Sequence, residues 1–299
     1  MRVDRDGLLG VILALLAAVG FSLKAILVKL AYLDGVDAVT LLALRMAFSM
    51  PFFAGVALWI SRRRVAALDW HDRMLVLGLG LVGYYLSSYL DFMGLQYISA
   101  GLERLILFLY PTMTVVLSAL IYRRAIGGKI IAAMLLCYAG IALVFLHDAG
   151  AGQEKIALGA SLVFLSTLSY SIYLVGAGHA IARIGTARFT SYAMIVASLA
   201  CLVQFAATHP PASLDLPWRV YRLSIAMAIV STVLPVFLLS YAIRSIGSGR
   251  ASLIGSVGPV STIYLAYLFL GERISALQIA GSMLVLAGVL VISLSGKKA

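Results

Sequence analysis

The chain has 299 residues, of which 63% are hydrophobic and 12% charged, and its mean hydropathy is +1.04. Soluble domains are about half apolar and a quarter charged, so this composition excludes a water-soluble globule. A net charge of +11 would suit nucleic acid only if the cations clustered, and no basic run here exceeds three residues.

Ten apolar windows follow in chain order: 8–30, 38–60, 74–93, 99–122, 128–147, 156–178, 187–208, 220–243, 249–270 and 275–295. Each is close to the roughly 20 residues that cross a bilayer as a helix. The runs are continuously apolar rather than alternating, which predicts helices and not barrel strands. The expectation is therefore an all-α integral membrane protein with ten transmembrane helices. The first window is too long for a cleaved signal, and nine more follow, so it is expected to be retained. Cys137 and Cys201 fall in separate windows and predict small buried core residues, with no disulfide framework.

The cations set the orientation. Lys29, Lys155, Arg219, Arg222 and Arg273 flank one side, and Lys24, Arg45 and Arg104 lie within windows. The other 15 of the 23 flank the opposite side. The positive-inside rule then places both termini in the cytoplasm.

A shift of 148 residues lays the second half over the first. "GLQYISAGLERLILFLYP" (94–111) covers "AIRSIGSGRASLIGSVGP" (242–259), so Gly101 meets Gly249 and Pro111 meets Pro259. "AGIALVF" (139–145) covers "AGVLVIS" (287–293), and a shift of 149 puts Gly10 over Gly159 and Ser22 over Ser171. Shared leucines are cheap in apolar helices; matched Gly and Pro at one offset are not. Residues 1–148 and 149–299 are expected to be two repeats of five helices. An odd number inverts the second copy, an architecture of secondary transporters with a substrate site near the midplane.

The elements "SAGLERLILFLYP" and "GSGRASLIGSVGP", followed by "LGERIS" (270–275) and "AGVLVIS", resemble the two EamA-type repeats of the drug/metabolite transporter superfamily, over essentially the whole chain. The resemblance implies ten helices in two inverted five-helix repeats and a central cavity lined by spans 1, 3, 4, 6, 8 and 9. It implies export of amino acids and other small metabolites across a bacterial inner membrane. Length and a tyrosine-rich third span look most like an aromatic-amino-acid exporter. The chain departs from the repeat pattern after span 4, where Arg123, Arg124 and Ala125 stand opposite Gly271, Glu272 and Arg273. A basic turn suits a cytoplasmic loop.

Polar residues of these spans form helical stripes. Tyr84, Ser88 and Asp91 share a face at i, i+4 and i+7, with Tyr85 and Tyr89 on the adjacent one. Ser166, Ser169, Tyr170 and Tyr173 fall on one side of span 6. Such faces suit a wet cavity, tyrosine giving a ring for stacking and a hydroxyl for hydrogen bonding; they equally suit helix–helix contacts. Candidate substrate-binding residues are Lys24, Tyr84, Tyr85, Ser88, Tyr110, Ser166, Tyr170, Tyr173 and Ser256.

Five charges lie within spans: Lys24, Arg45, Asp91, Glu103 and Arg104, all in the first half. Tyr173, Leu239, Ala251 and Ser252 stand opposite Lys24, Asp91, Glu103 and Arg104. Intramembrane charges face the bundle interior and are paired. Arg45, Asp91, Glu103 and Arg104 are expected to form an outer charge network or gate, with Lys24 left to meet either that network or a substrate carboxylate. Pro111, Pro235 and Pro259 each remove a backbone hydrogen bond and are expected to bend helices around the central path.

Other chemistry lacks a motif. His71, His147, His179 and His209 have no metal-ligand spacing, no phosphate loop is present, and "GLGLVG" (78–83) lies inside an apolar helix. The expectation is a monomeric, non-enzymatic secondary exporter of small metabolites, foremost aromatic or apolar amino acids, with no cofactor, metal or nucleic acid. A proton-coupled multidrug antiporter is the alternative, and a membrane-embedded enzyme a third.

Overall fold

The computed structural model describes residues 5–62, 67–123, 125–150, 155–246, 251, 254–255 and 257–295. Every regular element among them is helical, and none is a strand. Helix α1 spans Arg5–Tyr32 and α2 spans Ala38–Ser61. Helix α3 (Trp70–Gly80) runs through a π-helical turn, Leu81–Leu86, into α4 (Ser87–Leu95). Helix α5 (Ala100–Leu107) is followed by α6 (Tyr110–Ile121) and α7 (Gly128–Gly150). Helices α8 (Ile156–Ile184) and α9 (Thr186–Thr208) begin the second half. Helix α10 (Trp218–Ala228) passes through a second π-helical turn, Ile229–Val233, into α11 (Leu234–Ile246). Helices α12 (Val257–Leu270) and α13 (Ala276–Ser295) close the chain.

Among the described residues, eight segments are long and apolar enough to cross a membrane. Two shorter apolar helices, Val257–Leu270 and Ala276–Ile292, stand where the ninth and tenth windows fall. Leu120, Leu135, Val203 and Met283 are each at least 65% exposed, which in water would be costly and against lipid tails is not.

Polar side chains set the helix ends. The Asp37 carboxylate accepts from the Val39 and Thr40 N–H groups and caps α2, and the Ser99 hydroxyl accepts from Leu102 N–H and caps α5. Gly185 alone separates α8 from α9, at φ +87°, where a side chain would be strained. Proline interrupts more than the sequence predicts. Pro111 lies in the first turn of α6, and span 4 is broken into α5 and α6 around Phe108 and Leu109 instead of kinking as one helix. Pro235 stands just past the second π-helical turn, and Pro259 near the start of α12.

The halves pack by exchange. Helix α1 lies on α11 and α12; its counterpart α8 lies on α4 and α6. Helices α2 and α9 pack on each other, as do α7 and α13. Individual contacts repeat at the same offsets. Ser22 Oγ donates to the Gly258 carbonyl at 2.9 Å, and Ser171 Oγ donates to the Tyr110 carbonyl at 3.3 Å. A Cβ on Gly140 would sit 2.5 Å from the Gly281 carbonyl oxygen, and one on Gly288 would sit 2.5 Å from that of Ala133. In that seam partner numbers fall as residue numbers rise, so α7 and α13 run antiparallel. The two π-helical turns also begin 148 residues apart, at Leu81 and Ile229.

Candidate functional site

A cavity of about 320 Å³ lies between the α1/α11 side and the α4/α8 side, and is lined from both halves. This is the lower end of the range for small-molecule sites. Its walls come from equivalent positions: Phe21 and Tyr170, Arg45 and Met194, Tyr84 and Thr232, Asp91 and Leu239, Leu107 and Gly255. The prolines reach it too. Proline at i cannot bond the carbonyl at i−4, and the residues four before Pro111, Pro235 and Pro259 are Leu107, Ser231 and Gly255, all in the lining. The π-helical turns have the same effect, since each shifts the backbone register where Gly83, Tyr84, Ser231 and Thr232 meet the cavity.

One wall is aromatic. Tyr170 stacks on Tyr173 with ring centroids 5.5 Å apart and meets Tyr110 edge-on at 5.9 Å. The Tyr84 and Tyr173 hydroxyls share a hydrogen bond of 2.9 Å. Tyr84, Ser88, Ser166 and Tyr170 of the two stripes line the cavity, and so does Tyr110, a candidate outside them. Tyr173 and Tyr85 do not. Tyr173 is buried behind the wall, stacked on Tyr170 and Phe189, with its ring against Gly83 so closely that a Cβ there would collide. Tyr85 lies one helical step from Tyr84, is turned away from the cavity, and stacks on Tyr89 at 6.4 Å. Ser256 lies outside the described residues.

The charges pair differently from the sequence expectation. Lys24 Nζ lies 2.5 Å from Asp91 Oδ2 and 2.9 Å from Glu103 Oε1, so one ammonium faces two carboxylates. The side chains are 15%, 4% and 0% exposed. Lys24 therefore belongs to the charge network rather than standing free of it. The reason is topological: α1 carries no acid beside Lys24, and the fold brings those of α4 and α5 to it. Arg45 and Arg104, in contrast, have no carboxylate within 4 Å among the described residues. Arg45 Nε donates to Thr232 Oγ1 at 3.0 Å and its guanidinium lies over the Phe92 ring at 5.3 Å. Arg104 Nε is buried without a hydrogen-bond partner.

The "GER" turn acts on this site from outside it. Glu272 Oε1 accepts from the Ala100 N–H at 3.1 Å, so its carboxylate sits at the N-terminus of α5, the helix carrying Glu103 and Arg104. Burial pushes the Glu272 carboxyl up from its ordinary range, against the pull of the Ala100 and Gly101 N–H groups and Lys29. No group of three or more His, Cys, Asp or Glu side chains that could hold a metal occurs among the described residues.

A model of the EamA-like transporter family matches residues 8–146 and again residues 157–294. The chain belongs to the EamA-like transporter family. It is a multi-pass membrane protein of that family. An uncharacterized transporter of Bacillus subtilis (strain 168), YcbK, is 31% identical over 285 residues, 93% of this chain and 90% of that protein. A stretch of 59 residues, 20% of each chain, is 41% identical to a probable terminal-alkyne amino-acid exporter of Streptantibioticus cattleyicolor. A crystal structure at 17% identity superposes with a TM-score of 0.66 over 97% of this chain and 98% of that one, which shows a shared fold.

Phe21, Phe108, Thr167, Ser231 and Thr232 line the cavity without having been singled out from sequence. The repeat holds the signal for several of them: Phe21, Thr232 and Ser231 stand opposite Tyr170, Tyr84 and Gly83.

Proposed function

We propose that this EamA-like transporter is a secondary exporter of small amphipathic metabolites, foremost aromatic and other apolar amino acids. It would work by alternating access through the cavity between two inverted repeats, 1–148 and 149–299, with both termini cytoplasmic. The observation that carries the reading is the lining of one amino-acid-sized cavity by equivalent residues of both halves. Exchanged contacts and the antiparallel α7–α13 seam support a pseudo-two-fold axis in the membrane plane. Under such an axis each half can take the other's conformation. The Tyr84, Tyr110 and Tyr170 rings offer stacking surfaces, and the neighbouring serines and threonines offer hydrogen bonds.

Lys24 rides on α1, which packs on α11 and α12, whereas Asp91 rides on α4 beside α8, and Glu103 on α5, which packs on both α8 and α12. The Lys24–Asp91 pair would bridge the two sides of the outer mouth and break when it opens. The cation antiporter reading needs a carboxylate free to meet its cargo, and Lys24 already engages both candidates. Reconstituted vesicles should show saturable counterflow of at least one of Phe, Tyr, Trp, Met, Leu or Thr. Absence of flux for all six, with transport of a quaternary ammonium dye, would transfer the assignment to the antiporter.

A further inference from the structure

The cavity's lining is unbalanced in charge. Lys24, Arg45, Arg104 and Asp91 all reach it, and Glu103 lies directly behind Lys24. Three cations thus stand against two carboxylates, and both carboxylates sit on Lys24. Arg45 is partly satisfied by Thr232 and the Phe92 face. Arg104 is left with a buried, unpartnered Nε. Its Nη2 points at the one place in α12 where a side chain is missing: a Cβ on Gly258 would lie 2.7 Å away. The Arg104 side chain is only part-buried, so its outer nitrogens reach the cavity while Nε is shielded from water. A guanidinium with no carboxylate in direct contact is costly there, and a bound anion offsets that cost. The planar guanidinium is shaped to take a carboxylate through two parallel hydrogen bonds.

We infer that Arg104 anchors the carboxylate of the transported molecule, so that the cavity selects carboxylates, with or without an amine, and rejects amines that lack one. This rests on the transporter reading and narrows it to a substrate class. The aromatic wall, where Tyr110 and Tyr170 share the lining with Arg104, receives the apolar body of the substrate. The second half offers no equivalent anchor, because Ser252 stands opposite Arg104.

Matched pairs test this on the purified protein in detergent: L-phenylalanine and 3-phenylpropionate, which share a carboxylate, against phenethylamine and phenylalanine amide, which lack it. The two carboxylates are expected to raise the unfolding temperature and the two amines to leave it unchanged. R104Q should weaken carboxylate binding by about ten-fold or more, the loss expected for one charge-assisted contact, and R104K should recover part of it. G258A, which crowds Nη2, should weaken carboxylates without admitting amines. Should R104Q fail to fold, the wild-type ranking of acids over amines is itself the test. Stabilisation by acids and amines alike, by amines only, or by none of the four overturns the proposal. So does an R104Q protein that folds and keeps wild-type carboxylate affinity. Flux of amino acids in vesicles with no preference for the carboxylate would sink this inference and leave the exporter reading standing.

Discussion

Cys137 Sγ lies 3.5 Å from the carbonyl oxygen of Val285, the residue 148 positions further on and therefore its own counterpart. A residue that touches its counterpart marks where the two halves cross. Around it the backbones of α7 and α13 approach closely at Gly140, Gly281 and Gly288. Gly288→Val would drive a side chain into Cys137 Sγ and the Ala133 carbonyl. Overpacking of this kind costs about 1–3 kcal/mol. We expect a lower unfolding temperature and a poorer yield of monodisperse protein in detergent. Gly55→Val, which meets open space, should change neither.

The Lys24 cluster makes a second expectation. Removing one partner of a buried ion pair costs about 3–5 kcal/mol, because the other charge stays buried alone. Lys24→Gln should therefore destabilise the protein by several kcal/mol in chemical unfolding. Adding Glu103→Gln to it should recover part of the loss. Equal or greater loss in the double variant would show that the two side chains do not act as a pair.

Tyr173 supports the cavity wall from behind. Tyr173→Phe removes its hydrogen bond to Tyr84 and keeps the stack on Tyr170 and Phe189. The cost should be about 1 kcal/mol, with modestly weakened substrate affinity. Tyr170→Ala removes the wall itself and should abolish affinity for aromatic substrates. Binding measured by competition separates the two effects.

The Asp37 cap gives stability a pH dependence outside the membrane. Burial alone would raise this carboxyl, but the Thr40 bonds, His209 and the Val39 N–H outweigh it and hold it below its ordinary value. A lowered folded-state pKa means a contribution fully present above the unfolded value of about 3.9 and lost as pH falls through the lower folded one. Asp37→Ala should cost about 1 kcal/mol at neutral pH, the worth of an N-cap, and the deficit should shrink below about pH 4. A deficit constant down to pH 2 would contradict the titration.

The helices were readable because lipid demands long apolar runs; the caps at Asp37 and Ser99 were seen only in the structure. The serine and tyrosine stripes pointed to a real cavity at Tyr84, Ser88, Ser166 and Tyr170, since a helical face can be counted from spacing. Tyr173 escaped that logic, because spacing finds a face without saying whether it meets water or another side chain. Lys24 escaped it for another reason: its partners lie 67 and 79 positions away on other helices, and no local rule carries that information. Span 4 was expected to kink at Pro111 and instead breaks, because missing donors and the close approach of α8 act together there.

Alternating access through this cavity is tested most directly at Ser88, which lines it beside Asp91. Cys137 and Cys201 are buried, so Ser88→Cys gives one accessible thiol against a quiet background. In oriented proteoliposomes a membrane-impermeant thiol reagent should modify Cys at this position from either side, and L-phenylalanine should slow both reactions. Modification from one side only, with or without substrate, would contradict a path that opens alternately to the two faces of the membrane.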